Sequence, residues 1–210
     1  MNPPKVTDED YIQFLIATPK TCSATEAARV QAEEVQAPAH DAFTRLLHRL
    51  EPEALTLWAE AAPQVSRQSG VLVVDDSTLD KPYAHKIALV QRHWSGKHHA
   101  VVEGISLITL LWSEGDRHVP LDYRVYDKTG DALTKNDHFR ALLETAHARH
   151  LVPECVVFDS GYSMENLKQI RGWGWTWLTR LKANRLVNPD ATGNRPVAQV
   201  DTDAHGQIVH

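Results

Sequence analysis

Residues 71–82 read VLVVDDSTLDKP, and the fold turns on how that stretch is read. An unbroken apolar run of four residues suits a strand covered on both faces, with Asp75 and Asp76 delivered at its C-terminal end. The same device returns later, where Val156, Val157 and Phe158 form a second short apolar run and Asp159 follows it directly. If the two strands lie side by side, their acids converge in the crevice that an open α/β sheet leaves at that edge.

The flanking sequence supplies the rest of such a sheet. Ile87 to Trp94 and His99 to Trp112 have strand composition on either side of a turn at Gly96 and Lys97, and Val119 to Tyr126 alternates polar with apolar residues. These predict an antiparallel meander. The apolar period then changes to that of a helix, with Phe139, Leu142, Leu143 and Ala146 on one face of a segment expected from Asn136 through His150. Pro153 ends it, Ser163 is placed to cap a short helix over Met164 to Ile170, and Trp175 to Leu181 returns as a strand. Several strands, helix, strand, helix, strand is the order of an α/β domain with a mixed sheet.

Ahead of residue 71 the pattern is helical. Tyr11, Phe14 and Leu15, then Ala27, Ala28 and Val30, then Phe43, Leu46, Leu47 and Leu50 recur at spacings of three and four. Ser23 and Glu26 have capping-box spacing, and Gln36-Ala37-Pro38 breaks the chain before the third helix. The layout is that of a helix-turn-helix whose second helix exposes Arg45 and Arg49, four apart and able to meet DNA. The expected division is a helical, DNA-binding module over 1–62, a linker over 63–70 and a sheet domain over 71–210.

Bulk properties narrow the classes. At 210 residues and 42% hydrophobic, the chain can bury one main core and a small appendage. Lys+Arg 22 against Asp+Glu 27 gives a charge of -5, so any contact with DNA is local rather than a global basic field. No apolar run is long enough for a membrane span or a signal peptide, which makes the cytosol the default. Cys22 and Cys155 have no metal-ligand spacing and are expected to be buried, and the twelve histidines are assigned no metal. Trp173, Trp175 and Trp177 alternate as a strand would and are read as sheet core in preference to a base-stacking face.

A pair of converging carboxylates is a ligand set for Mg²⁺, which keeps water and phosphate oxygens in its remaining positions. The stretch Val73 to Pro82 resembles the first-acid motif of the DDE transposases of bacterial insertion sequences, and Val156 to Ser163 with Asn166-Leu167 resembles their second-acid motif. The run Trp177 to Lys182 is similar to the strand after it, and the resemblance spans roughly residues 20–210. It implies an RNase H-like sheet, and Asp75 and Asp159 as catalytic metal ligands, with Asp76 as the alternate for Asp75, since neighbours on a strand face opposite ways. It also implies Mg²⁺ or Mn²⁺, two ions in the complete enzyme, terminal-repeat and target DNA as partners, a homodimer, and work at the bacterial nucleoid. Lys81, Arg180 and Lys182 are the expected phosphate contacts on that basis.

The family pattern also includes a third acid, a Glu on a later helix within a Tyr, Arg, Glu, Lys pattern. No Glu follows Glu165, and Asp190, Asp201 and Asp203 sit among loop-forming residues. The expectation is a chain cut in mid-fold, in a hairpin beginning near Ala204, that by itself neither cleaves nor joins DNA. Two alternatives stand beside it: a remnant that only binds DNA, and another RNase H-like nuclease completing its site with Glu103. A phosphatase with Asp75 as nucleophile lacks the acid expected two residues on, where Ser77 stands.

Overall fold

The computed structural model describes residues 4–19, 22–31, 37–50, 53–84, 86–162, 164–201 and 205. They fall into two units, Met1–Glu53 and Ala54–His210.

In the first unit, α1 (Asp8–Ala17), α2 (Ala24–Arg29) and α3 (His40–Arg49) surround a small core of Val6, Phe14, Ala27, Ala42, Phe43 and Leu46. Local chemistry sets the first two starts. Thr7 caps α1 through a reciprocal box with Asp10, and Ser23 Oγ accepts the Glu26 N–H at 3.1 Å. No side chain caps α3, which is held by burying Ala42, Phe43 and Leu46 along one stripe. Leu15, expected on the apolar face of α1, is exposed. Gln36 of the expected break lies outside the described residues.

In the second unit, α4 (Ala54–Ala61) precedes β1 (Val71–Asp80), β2 (Gln91–Ser95), β3 (Ala100–Glu114) and β4 (Arg117–Tyr126). α5 (Lys135–Ala148), β5 (Cys155–Phe158), α6 (Met164–Gly172) and β6 (Trp177–Thr179) follow, then a small hairpin of β7 (Leu186–Val187) and β8 (Arg195–Pro196). The division between the units falls before α4. Ala61 and Val65 belong to the main core, and the Arg149 guanidinium lies 4.4 Å from the centre of the Trp58 ring while donating to Leu121 O at 3.0 Å. Those contacts bind α4 to β4 and to the end of α5.

The main sheet runs β4-β3-β1-β5-β6, with β2 pairing the first part of β3 on the edge that β4 then occupies. β1, β3 and β4 are antiparallel, whereas β5 pairs parallel with β1 and β6 parallel with β5. This is the RNase H-like mixed sheet with flanking helices. Gly115, at φ 58, opens the two-residue turn that lets Glu114 face Arg117 across the β3–β4 hairpin. One sheet face carries Leu72 and Val74 from β1 and Ile108, Leu110 and Trp112 from β3, all in one core with Phe139, Leu142 and Leu143 of α5. Thr134 starts α5 through a capping box with Asp137, ahead of the expected start at Asn136.

Several local expectations change. β1 does not stop at Val74 but continues to Asp80, paired throughout with β3, because Ser77, Thr78 and Leu79 find partners in Leu107, Ser106 and Ile105. The last strand shrinks to Trp177–Thr179, since Trp173 lies in the turn after α6 and stacks on His147 at 4.6 Å. Cys22 is exposed and Cys155 half-buried, neither of them sealed in a core. Ser163, the expected cap of α6, lies outside the described residues, as does the expected hairpin after Ala204 except for His205. Among the described residues no helix is long and apolar enough to cross a membrane.

Candidate active site

The parallel pairing of β1 with β5 covers four steps and ends at Val74 opposite Phe158. One step further along the same register sets Asp75 abreast of Asp159. β5 ends there, so β1 from Asp75 onward has β3 on one side and, among the described residues, no strand on the other. The opening is a cleft of about 850 Å³ whose lining includes Asp75, Asp76 and Asp159.

The two neighbours on β1 differ in setting. Asp76 stands opposite Ile108, on the face that packs against α5. Lys135, the first residue of α5, forms a short ion pair with its carboxylate and places its ammonium 5.8 Å from the Tyr126 ring centre. Asp75 stands opposite Thr109, whose Oγ1 donates to the Asp75 carbonyl oxygen at 3.4 Å, and its own Oδ1 accepts the Asp76 N–H at 2.9 Å. Asp159 is held by a turn: its Oδ1 accepts the Gly161 N–H at 2.8 Å. A side chain on Gly161 would meet that oxygen at 2.9 Å, which is why a glycine fits there.

Electrostatics mark the acids as a group. Burial pushes the Asp75 carboxyl above its ordinary value, and the Asp76 and Asp159 charges push it the same way. Burial also pushes the Tyr162 hydroxyl strongly up, with Asp76, Asp159 and Asp75 adding to the effect, so it remains a neutral O–H beside three carboxylates. That hydroxyl is buried with no hydrogen-bond partner among the described residues. Burial lowers the His93 imidazolium, and the Lys135 and Lys128 charges lower it further. Acids on β1 and after β5 thus face a basic wall that also includes Arg92 and Lys97.

Among the described residues, no three His, Cys, Asp or Glu side chains gather as a metal-ligand cluster. Asp75 and Asp159 still fit a divalent ion, since a hard cation such as Mg²⁺ takes one or two carboxylates and fills the rest of its shell with water and phosphate oxygens. Burial, and after it the neighbouring Asp76 and Asp159 charges, disfavour the charged Asp75 carboxylate, and a bound cation would offset both.

Of the other expected residues, Lys81 follows the far end of β1, and its backbone N–H donates to Glu103 O at 2.9 Å; it does not line the acidic cleft. Arg180 and Lys182 lie past the end of β6 rather than on one strand face, and border a separate depression with Ser160, next to Asp159. Glu103 pairs across β3 with Arg92 and borders another depression with Asp80 and His98, away from Asp75. In the helical unit, Arg45 pairs with Asp41 at 2.5 Å and Arg49 donates to Val6 O at 3.0 Å. Sequence reading missed Lys135, Lys128, Arg92 and Trp94. Trp94, 66% exposed in the cleft lining, is the solvent-facing tryptophan there, whereas Trp175 is buried. Only alternation along Gln91–Ser95 could have singled out Arg92 and Trp94 as one face.

The sheet order and the acidic cleft place the chain among RNase H-like α/β proteins. A family model described as DDE superfamily endonuclease matches residues 10–206, and the chain belongs to that family. Among solved structures it is similar to the Drosophila P element transposase strand transfer complex, at 11% identity and a TM-score of 0.40. That match covers 83% of this chain and 37% of the other. No curated protein matches.

Proposed function

We propose that these residues form the first-acid and second-acid part of a DDE transposase of the insertion-sequence kind, acting on DNA phosphodiesters with Mg²⁺ or Mn²⁺. The observation that carries the reading is the β1–β5 register up to Val74 and Phe158, whose continuation by one step brings Asp75 abreast of Asp159 where β5 leaves β1. Asp75 and Asp159 hold the metal, while Asp76 is engaged by Lys135. When bound, such an ion polarises the phosphodiester and activates the attacking water or 3′-hydroxyl. Arg92, Lys97 and Lys128 neutralise the phosphates of the strand entering the cleft. The helical unit serves as the terminal-repeat reader through the exposed face of α3, with Arg45 and Arg49 as its cations. The active assembly is a homodimer on two DNA ends.

The test is Mn²⁺ binding and plasmid nicking by the purified chain. Mn²⁺ should bind in the micromolar to millimolar range typical of carboxylate sites, be lost in Asp75→Asn and Asp159→Asn, and accompany any nicking. Metal binding that survives both substitutions, or nicking indifferent to chelator, sinks the proposal.

A second reading, DNA binding without cleavage, is favoured by the cations Arg92, Lys97 and Lys128 that line the cleft and can hold phosphates with no metal. Nicking above background that disappears in Asp159→Ala rules that reading out. A strand-shift assay positive with no nicking supports it.

A further inference from the structure

The acidic cleft contains a cation of its own. Lys135 is fixed at the first position of α5 by the Thr134–Asp137 capping box, in which Thr134 Oγ1 donates to Asp137 Oδ2 at 2.6 Å. From there its ammonium bonds Asp76 and lies against the Tyr126 ring. The pair is half-buried, with side-chain exposures of 34% and 27%, so the ammonium is neither free in solvent nor screened as a surface pair is.

We propose that Lys135 occupies the place of a second metal ion, so that the cleft binds one divalent cation, between Asp75 and Asp159. This rests on the reading of those two residues as metal ligands and departs from the two ions that the family resemblance implies. The reasoning is charge and donor counting. Two divalent ions about 4 Å apart need a carboxylate between them and further anionic donors around them. Asp75, Asp76 and Asp159 are the acids lining this cleft among the described residues, and Asp76 already gives its charge to Lys135. A second dication would have to displace the ammonium or sit beside it, and like charges at that range repel strongly in a partly desolvated site. One ion neutralises Asp75 and Asp159 as Lys135 neutralises Asp76, so the three carboxylates are matched, and Arg92, Lys97 and Lys128 remain for the phosphates of a bound strand.

The experiment counts ions. Mn²⁺ is titrated into the purified chain by calorimetry, with free Mn²⁺ followed by its electron paramagnetic resonance signal. The wild-type chain should take up one ion. Lys135→Met frees the Asp76 carboxylate and should take up two. The double variant Lys135→Met with Asp76→Asn removes a net-neutral pair and should return to one ion, with an affinity within about threefold of wild type, since the net charge around Asp75 and Asp159 is unchanged. Two ions on the wild-type chain, or one on a folded Lys135→Met, overturns the inference. If Lys135→Met loses its circular dichroism through the uncompensated charge, the double variant decides. A single ion at wild-type affinity supports the inference, and a folded double variant that loses its ion makes Asp76 a ligand and overturns it. No ion at all on the wild-type chain defeats the reading of Asp75 and Asp159 as ligands, and this inference with it.

Discussion

The two strands that bring the acids together hold them by different means. β1 is ten residues long and pairs with β3 along its whole length, so Asp75 sits in mid-ladder with paired residues before and after it in the strand. β5 is four residues long, and Asp159 lies just past its end, fixed by one side-chain bond to the Gly161 N–H and by the packing of Phe158 beneath it. The first acid is placed by sheet register and the second by a turn. A mutation should therefore move Asp159 without unfolding the sheet more readily than it moves Asp75.

The largest effect expected is on the packing under the weaker strand. Phe158 stacks edge-on to Phe139 at 5.1 Å and lies 6.2 Å from Tyr162. Phe158→Ala should cost roughly 3–5 kcal/mol in urea denaturation, the range for deleting a buried aromatic ring. A loss below about 1 kcal/mol, the scale of a surface change, means that β5 is not held by this cluster.

Next comes the direct removal of ligands. Asp75→Asn and Asp159→Asn should each weaken Mn²⁺ binding by about 100-fold or more, about 2.7 kcal/mol, while leaving circular dichroism intact. Equal loss from both positions is the result that fits one shared ion. If only one of them matters, the acids do not act together.

A gentler test separates ladder from turn. Gly161→Ala puts a methyl group 2.9 Å from Asp159 Oδ1, so the carboxylate must move while the sheet stays paired. Metal affinity should fall about tenfold, as when an outer-shell partner is lost, with little change in melting temperature. Gly104→Ala does the reverse: its methyl meets the Leu79 carbonyl oxygen at 2.6 Å, across the β1–β3 ladder and beyond the acids. That variant should lose stability before it loses metal binding. Matching profiles from the two variants would show that turn and ladder are one mechanical unit.

The same contrast explains what could be read from sequence. Apolar runs before Asp75 and Asp159 expose both strands to inspection, because burial on two faces needs uninterrupted apolar residues. The helix from Lys135 onward is equally legible in the spacing of Phe139, Leu142, Leu143 and Ala146. The length of β1 is not, since Asp75 to Asp80 are polar but for Leu79 and stay extended only because β3 pairs with them. Nor is the role of Lys135, which comes from sixty residues downstream in rough terms and meets Asp76 only once α5 docks on the sheet. The place of α4 is hidden for a related reason: by pattern it continues the helical segment, and only tertiary contacts, Trp58 beneath Arg149 and Ala61 in the main core, join it to the sheet unit. Whether Asp75 or Asp76 pairs with Asp159 is a matter of register, which local pattern leaves open; the β1–β5 pairing runs to Val74 opposite Phe158, and its continuation by one step favours Asp75.

The smallest effect lies in the charge on Asp75 itself. Burial, helped by Asp76 and Asp159, raises its carboxyl above the ordinary value of 3.8. The folded chain then holds that proton more tightly than the unfolded chain does. Its contribution to stability is present in full below 3.8 and is lost as pH rises through the higher folded-state value. Asn carries no such charge, so Asp75→Asn should match wild type in strongly acidic buffer and become the more stable of the two as pH rises through that window. Thermal melts in chelator across the acid range measure the difference directly. With Mn²⁺ present the sign reverses, because the ion binds the deprotonated carboxylate and stabilises only the wild-type chain, increasingly so as pH rises. Wild-type and variant melting curves that stay parallel over the whole range, with and without metal, would mean that Asp75 faces solvent and that the register argument places the wrong acid in the cleft.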